Sequence, residues 1–152
     1  MSFRFTLAII KPDIFVKQPN NVKSIIEKIE SRFIIHTSKQ INLSIQDAEQ
    51  FYHDHREKFF YERLISFMTR GPILPMVLEY KNNDQNNDTI KNWRDFIGPT
   101  HREKAKTMNC LRGEYGTSDT RNSFHGSGSE EEAKKEIVFF FPKFDFNNPK
   151  SN

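Results

Sequence analysis

The chain is short of cysteine, glycine and long hydrophobic runs, and each shortage removes a class of protein. A single cysteine, Cys110, among 152 residues excludes an internal disulfide and a cysteine-based zinc site. It points to a reducing compartment. The six glycines form no Walker A loop and no Gly-x-Gly-x-x-Gly fingerprint, and the protein-kinase signature set is missing as well. No stretch approaches the roughly 20 apolar residues that a membrane-spanning helix needs. Met1 to Ile10 already reads as a strand, which leaves no room for a cleavable signal ahead of the fold. The expected compartment is cytoplasmic, with a mitochondrial location as the alternative. Charge is not extreme either: the formal net charge is +3 and the pI about 9.0. Such a mildly basic balance suits phosphate-bearing ligands without separating nucleotides from nucleic acid. Mean hydropathy is low, at -0.74, but fifteen phenylalanines and several aliphatic runs supply core material for one domain.

Phe3 to Ile10 is apolar and partly β-branched, and Pro12 stops its pairing. It is the expected first strand, in a central position. Val22, Ile25, Ile26 and Ile29 recur at helical spacing, with Asn20 or Asn21 as cap. Phe33 to Leu43 predicts a strand. Ser44 to Arg56 predicts a helix with Ser44 as its N-cap, and Tyr61 to Thr69 a second one, broken at Gly71-Pro72. Ile73 to Tyr80 is a third strand, whose Pro75 argues for an edge position or a bulge. An Asn-rich loop over 81–89 precedes a short helix from Thr89 to Ile97. A long polar loop then runs through Thr120 to a short strand, Ser123 to His125. Ser129 and Glu132 form a capping box for a last helix that turns Ala133, Ile137 and Phe140 inward. One domain over 1–143 and a polar, fraying tail over 144–152 complete the layout. This order predicts an α+β, ferredoxin-like fold: a four-stranded antiparallel sheet with helices packed on one face.

The densest chemistry lies around His125. Arg121 and Asn122 precede it and Gly-Ser-Gly-Ser follows it. A lone histidine is more often a hydrogen-bonded structural group. Here the small residues that follow let a charged substrate approach, and a neutral imidazole can attack phosphorus. Glu136, eleven positions on, can orient that ring if the last helix folds back; otherwise it is a solvated helix glutamate. Lys11 ends the first strand and places an ammonium at a strand-end crevice. Arg94, Arg112 and Arg121 offer guanidinium forks for phosphate, Thr100 a hydroxyl, and Asn122 a partner for a ribose hydroxyl. Phe59 and Phe60 are more often core, but either one exposed at a cleft can stack a base. Arg112 to Gly116 weakly mimics an RNA-recognition aromatic motif, without the apolar strand that should continue it.

Several pieces together resemble the nucleoside diphosphate kinase family. They are Leu7-Ala8-Ile9-Ile10-Lys11-Pro12-Asp13, Phe51-Tyr52 with Phe59-Phe60, and Ser66-Phe67-Met68-Thr69-Arg70-Gly71-Pro72. Trp93-Arg94 through Gly98-Pro99-Thr100, Arg112-Gly113, and Arg121-Asn122-Ser123-Phe124-His125-Gly126-Ser127 complete them. They stand in family order over nearly the whole chain and are most similar to the divergent, type-6-like branch. The resemblance implies a ping-pong transfer of a γ-phosphate through phosphorylated His125, with nucleoside di- and triphosphates as partners. It implies nucleotide contacts at Lys11, Arg94, Thr100, Arg112 and Asn122, and base stacking on Phe60. It further implies a tyrosine beside the site at Tyr52, and support of the histidine by Ser127 and Glu136. Magnesium would ride on the nucleotide's phosphates, and a homo-oligomer is expected. Gly128 stands where the family carries an acid, and Ile14 where it carries a small residue. The loop before Arg112 lacks the family's Pro-Gly and is one residue longer. Three functional classes follow. The first is a phosphotransferase. The second is a weakly active or inactive nucleotide-binding regulator on the same fold, motivated by Gly128. The third and least favoured is a single-stranded nucleic-acid binder.

Overall fold

The computed structural model describes residues 3–82, 88–119 and 121–151. Most of the Asn-rich loop, residues 83–87, and Thr120 lie outside the described residues. Strand β1, Phe5–Ile10, is buried at all six positions, as an inner strand covered on both faces must be. It pairs antiparallel with β3, Leu74–Tyr80, on one side and with β4, Phe124–Gly126, on the other. Strand β2, Phe33–Ser38, adds to the far side of β3, giving the order β2-β3-β1-β4. This is the ferredoxin-like sheet.

Helices cover both faces rather than the single face that the element order suggested. Alternation along β1 explains why. Phe5, Leu7 and Ile9 enter one core and Ala8 and Ile10 the other. The first core is closed by α3, Ile45–Phe51, α4, Tyr61–Met68, and α8, Glu130–Phe140, through Ala48, Ile65, Met68, Ile137 and Phe140. The second is closed by α1, Pro12–Lys17, α2, Val22–Glu30, and α5, Thr89–Ile97, through Ile14, Ile25, Ile29, Trp93 and Ile97.

Local chemistry sets the helix ends. Ser44 caps α3 by accepting the Asp47 N–H at 3.0 Å. Ser129 accepts the Glu132 N–H at 3.2 Å, and the Glu132 carboxylate reaches back to the Gly128 N–H at 2.9 Å. Asn21 sits at the start of α2, but its side chain bonds Gln18 instead of capping the helix. Pro12 does more than end β1: it is the first residue of α1, where its missing N–H costs nothing.

Other expectations change. Strand β2 stops at Ser38, and only an isolated Ile41–Ile73 bridge continues toward Leu43. The helix expected over Ser44 to Arg56 ends at Phe51 and passes into a 3-10 turn, His53–His55. The long polar loop holds two short helices, α6, Arg102–Lys106, and α7, Leu111–Tyr115. Pro75 lies in an inner strand. Its carbonyl accepts from Lys39 just past the end of β2, so its nitrogen faces the place where that partner has finished. The register shift instead falls in β2, between Ile35 and Thr37.

The stretch expected as a polar tail returns two aromatics to the first core. Phe144 is buried against Phe5, and Phe146 packs on both rings. Phe144→Ala should therefore lower stability by about 3 kcal/mol. The denaturant midpoint measures it, and a loss below about 0.5 kcal/mol, the level of an ordinary surface change, would show that the segment does not close the core.

Candidate active site

β4 is three residues long, and His125 is its middle residue. Four contacts fix so short a strand. His125 pairs with Ile9 in the β1 ladder. The Trp93 indole N–H donates to the His125 carbonyl at 2.9 Å. Arg112 donates to the Phe124 carbonyl at 2.8 Å. The Ser127 hydroxyl accepts the Leu7 N–H at 3.2 Å. Trp93 comes this close because the next residue is glycine: a Cβ at Gly126 would sit 2.6 Å from the indole.

The His125 ring lies on the same face as Ile9, toward α3 and α8. Its Nε2 is 2.9 Å from Glu136 Oε1, and the Phe51 ring stands edge-on at 5.5 Å. The Ser127 hydroxyl donates to the same Glu136 oxygen at 2.7 Å. Burial works first against the charge of Glu136. The His125 ring, the hydrogen bonds from His125 and Ser127, and the charge of His55 nevertheless hold its carboxyl below the ordinary range. An ionised Glu136 accepts the Nε2–H and so leaves Nδ1 as the nitrogen with a free lone pair. The His125 side chain keeps 17% of its surface exposed, so this is a held ring with an accessible edge.

Lys11 follows β1 in extended conformation, so its side chain continues on the face of Ile9 and His125. It is buried and donates to Asn122 Oδ1 at 2.9 Å. Burial first, then the charge of Arg112, lower its ammonium from 10.5 to about 7, against the pull of Asp13. Arg112 is also buried; it donates to the Gly98 carbonyl at 2.6 Å and thereby ties the 98–112 loop to β4. Its Nε has no hydrogen-bond partner among the described residues. Burial, then the charge of Arg94, bring it down to about 10, still a cation at neutral pH. Arg94 is exposed and flanks the loop after the histidine, its Nη1 3.1 Å from where a Gly128 Cβ would be. Lys11, Arg112 and Arg94 are thus a row of cations, with the Asp13 carboxylate near Lys11 and the Glu132 carboxylate near Arg94.

The other expected residues sit around this row. Tyr52 is buried, and its hydroxyl has no hydrogen-bond partner among the described residues. Burial, then Glu136, push its phenol upward, so it stays protonated and can only donate or accept a hydrogen bond. Phe60 is half-buried, 5.8 Å from the His55 ring, while its neighbour Phe59 is 92% exposed. Thr100 is exposed two residues beyond Gly98. Arg121 is not in the cationic row; it lines a depression with Arg63, Arg70, His101 and Arg102. Tyr115, the aromatic of the RNA-like motif, is buried in α7 rather than displayed on a strand.

Residue reading gave no role to Trp93, His55, Asp13 or Ser123. Trp93 had a signal in hindsight: an indole at helical spacing from Ile97 beside the strand that carries His125. Among the described residues no cluster of three or more histidine, cysteine or acidic side chains could hold a metal ion. The donor set is cationic, which fits a metal carried on a ligand's phosphates and not a protein cage.

The chain matches the family model described as "Nucleoside diphosphate kinase" over residues 4–146. It is 68% identical to a probable nucleoside diphosphate kinase of Dictyostelium discoideum, covering 97% of this chain and 98% of that one. It is 41% identical to nucleoside diphosphate kinase 6 of Danio rerio, covering 94% and 79% respectively. Among solved structures it is similar to the nucleoside diphosphate kinase of Aquifex aeolicus, with a TM-score of 0.81 at 36% identity. That likeness covers 91% of this chain and 94% of the other.

The Lys11 shift has two consequences of opposite sense. The unfolded chain binds the proton more tightly, so this group's contribution to stability rises with pH between about 7 and 10.5. Over the same window the free protein loses the cation that a polyphosphate would meet. ADP affinity should fall by up to about tenfold per pH unit there, and in Lys11→Met it should be weaker but without that slope. Calorimetric titration across the window checks it; an equal slope in both proteins would remove Lys11 as the titrating group.

Proposed function

The chain belongs to the nucleoside diphosphate kinase family, and from that premise we propose that it moves a γ-phosphate from ATP to a nucleoside diphosphate by a ping-pong path through His125. One observation carries this reading: an accessible imidazole held through Nε2 by a half-buried, ionised carboxylate, beside the buried cations Lys11 and Arg112 and the exposed Arg94.

The chemistry follows from that geometry. Glu136 and Ser127 fix the ring and its tautomer, so Nδ1 presents its lone pair to the terminal phosphorus. A bond forms between Nδ1 and phosphorus while the bond to the bridging oxygen breaks. The electron pair leaves with the nucleoside diphosphate. Positive charge that develops on the imidazole is stabilised by Glu136. In the second half-reaction a terminal oxygen of another diphosphate attacks the phosphorus and the nitrogen leaves. Lys11, Arg112 and Arg94 neutralise the phosphate oxygens during both transfers. Magnesium, entering with the nucleotide, supplies further charge neutralisation at the phosphates. Asn122 with Lys11 meets the ribose hydroxyls, Thr100 the phosphates, and Tyr52 lends its hydroxyl at the edge of the site. Phe60 stacks on the base, a contact that reads no base edge and so selects weakly among bases. On the same reading the protein works in a reducing, cytoplasmic setting, with a mitochondrial one as the alternative, and forms a homo-oligomer as the family resemblance implies.

A silent nucleotide-binding regulator is the second reading, because Gly128 brings no carboxylate to the loop after the histidine. One pair of assays separates the two. Wild type should take an acid-labile label from γ-labelled ATP and pass it to a second diphosphate. His125→Ala should lose the label completely and keep its affinity for ADP within about threefold. ADP binding without any phosphate exchange in the wild type would favour the regulator, and labelling that persists in His125→Ala would remove the histidine from the reaction.

A further inference from the structure

Ser123 is the only described non-glycine residue with a left-handed backbone, at φ 75°. A side chain at that angle is uncommon and strained unless its surroundings enforce it. Two bonds enforce it here. The Ser123 hydroxyl donates to Asp13 Oδ2 at 2.6 Å, and the Ser123 carbonyl accepts the Lys11 N–H at 2.8 Å. Both residues are buried, and Asp13 comes from the first turn of α1, 110 positions away in sequence. Asp13 Oδ1 has no hydrogen-bond partner among the described residues, and burial raises its carboxyl above the usual 3.8 although the Ser123 hydrogen bond, the Lys11 charge and the Asp13 and Ile14 backbone N–H groups pull the other way.

The place of the turn gives it consequence. Immediately before it, Asn122 accepts from the Lys11 ammonium. Immediately after it, Phe124 opens β4, and His125 follows. In an uninterrupted strand neighbouring side chains would point to opposite faces. The reversal at Ser123 breaks that alternation and buries Asn122, Ser123 and Phe124 in succession. Asn122 is thereby turned to Lys11 while His125 still meets Glu136.

We propose that Asp13 and Ser123 are positioning residues for the phosphoryl transfer, their side-chain bond holding the reversal that sets Asn122 on Lys11 and His125 on Glu136. This rests on His125 being the phosphoryl carrier. Neither residue touches substrate; each acts through the chain that it bends. A nucleophile displaced by ~1 Å can lose about a hundredfold in rate, so a single bond at this turn is enough to matter.

Substitutions separate positioning from simple support. Ser123→Ala loses the hydroxyl but keeps the strained Cβ, whereas Ser123→Gly loses both and adopts a positive φ freely. Turnover should fall about 10- to 100-fold in Ser123→Ala and recover in large part in Ser123→Gly, with both proteins shown to be folded at the assay temperature by their melting curves. Asp13→Ala should match Ser123→Ala. Asp13→Asn, which keeps an acceptor oxygen for the serine, should recover; this pair is assayed on the acid side of the Lys11 titration, where that charge is unchanged. If the bond serves stability alone, the variants will melt earlier yet turn over like wild type while folded, and the proposal is overturned. Equal losses in all four variants overturn it too. Should Ser123→Ala fail to fold, the contrast between Asp13→Asn and Asp13→Ala decides on the same terms. Labelling of the wild type is measured alongside. Its absence defeats the functional reading itself, whereas a labelled wild type with an unimpaired Ser123→Ala defeats only the positioning role.

Discussion

One carboxylate organises the site. Glu136 Oε1 accepts from both the His125 ring and the Ser127 hydroxyl, and so joins β4 to α8 across the face of the sheet. An isolated buried carboxylate would neutralise itself by taking up a proton. This one remains ionised because the electrostatic pull of the His125 ring, the hydrogen bonds from His125 and Ser127, and the charge of His55 outweigh its desolvation. The consequence reaches beyond the pair. A ring bound at Nε2 has a defined tautomer, and a defined tautomer has one nucleophilic nitrogen on a known side. Every other element of the site is useful only relative to that nitrogen.

Positive charge is the second constraint. Lys11 and Arg112 are buried, each depressed by its own desolvation and by a neighbouring cation. Arrangements of this kind cost stability, since buried like charges repel and lack water. The fold tolerates them because the groups also do structural duty: Arg112 ties the 98–112 loop to β4, and Lys11 orients Asn122. A polyphosphate anion would return the missing countercharge. Ligand binding and folding stability are then coupled through the same residues, which is what mass action requires of a site whose empty state is electrostatically unsatisfied.

Much of the frame was legible from the residues. β1 is a continuous apolar run ended by Pro12, and α8 carries both a capping serine and inward residues at helical spacing. α6 and α7 were not legible. At five residues each they are too short to show a period, and they owe their existence to tertiary contacts. Residue chemistry drew attention to His125 and Lys11, while the roles of Ser127 and Tyr52 came only through family resemblance. What escaped both routes was backbone control. Nothing in the letters of Ser123 announces a positive φ, and nothing in Asp13 announces that its partner lies 110 residues away. Pro75 misled for a related reason. Its tolerance in an inner strand depends on where β2 happens to stop, which is a property of the partner strand and not of the proline.

Gly128 shows how a departure at one position can be absorbed by another. A Cβ there would lie 2.6 Å from the Glu132 carboxylate and 3.1 Å from the Arg94 guanidinium. Any side chain at 128 therefore competes with the contact that Glu132 makes to the Gly128 N–H. With glycine in place, a carboxylate still borders the loop after His125, but it is delivered from the first turn of α8 and bound to the main chain. There it also favours the positive end of the helix dipole. An acid at 128 would have to displace it. The loop is thus held by its backbone, and the negative charge beside Arg94 is fixed by helix capping, so the same bond that starts α8 also shapes one wall of the cationic row.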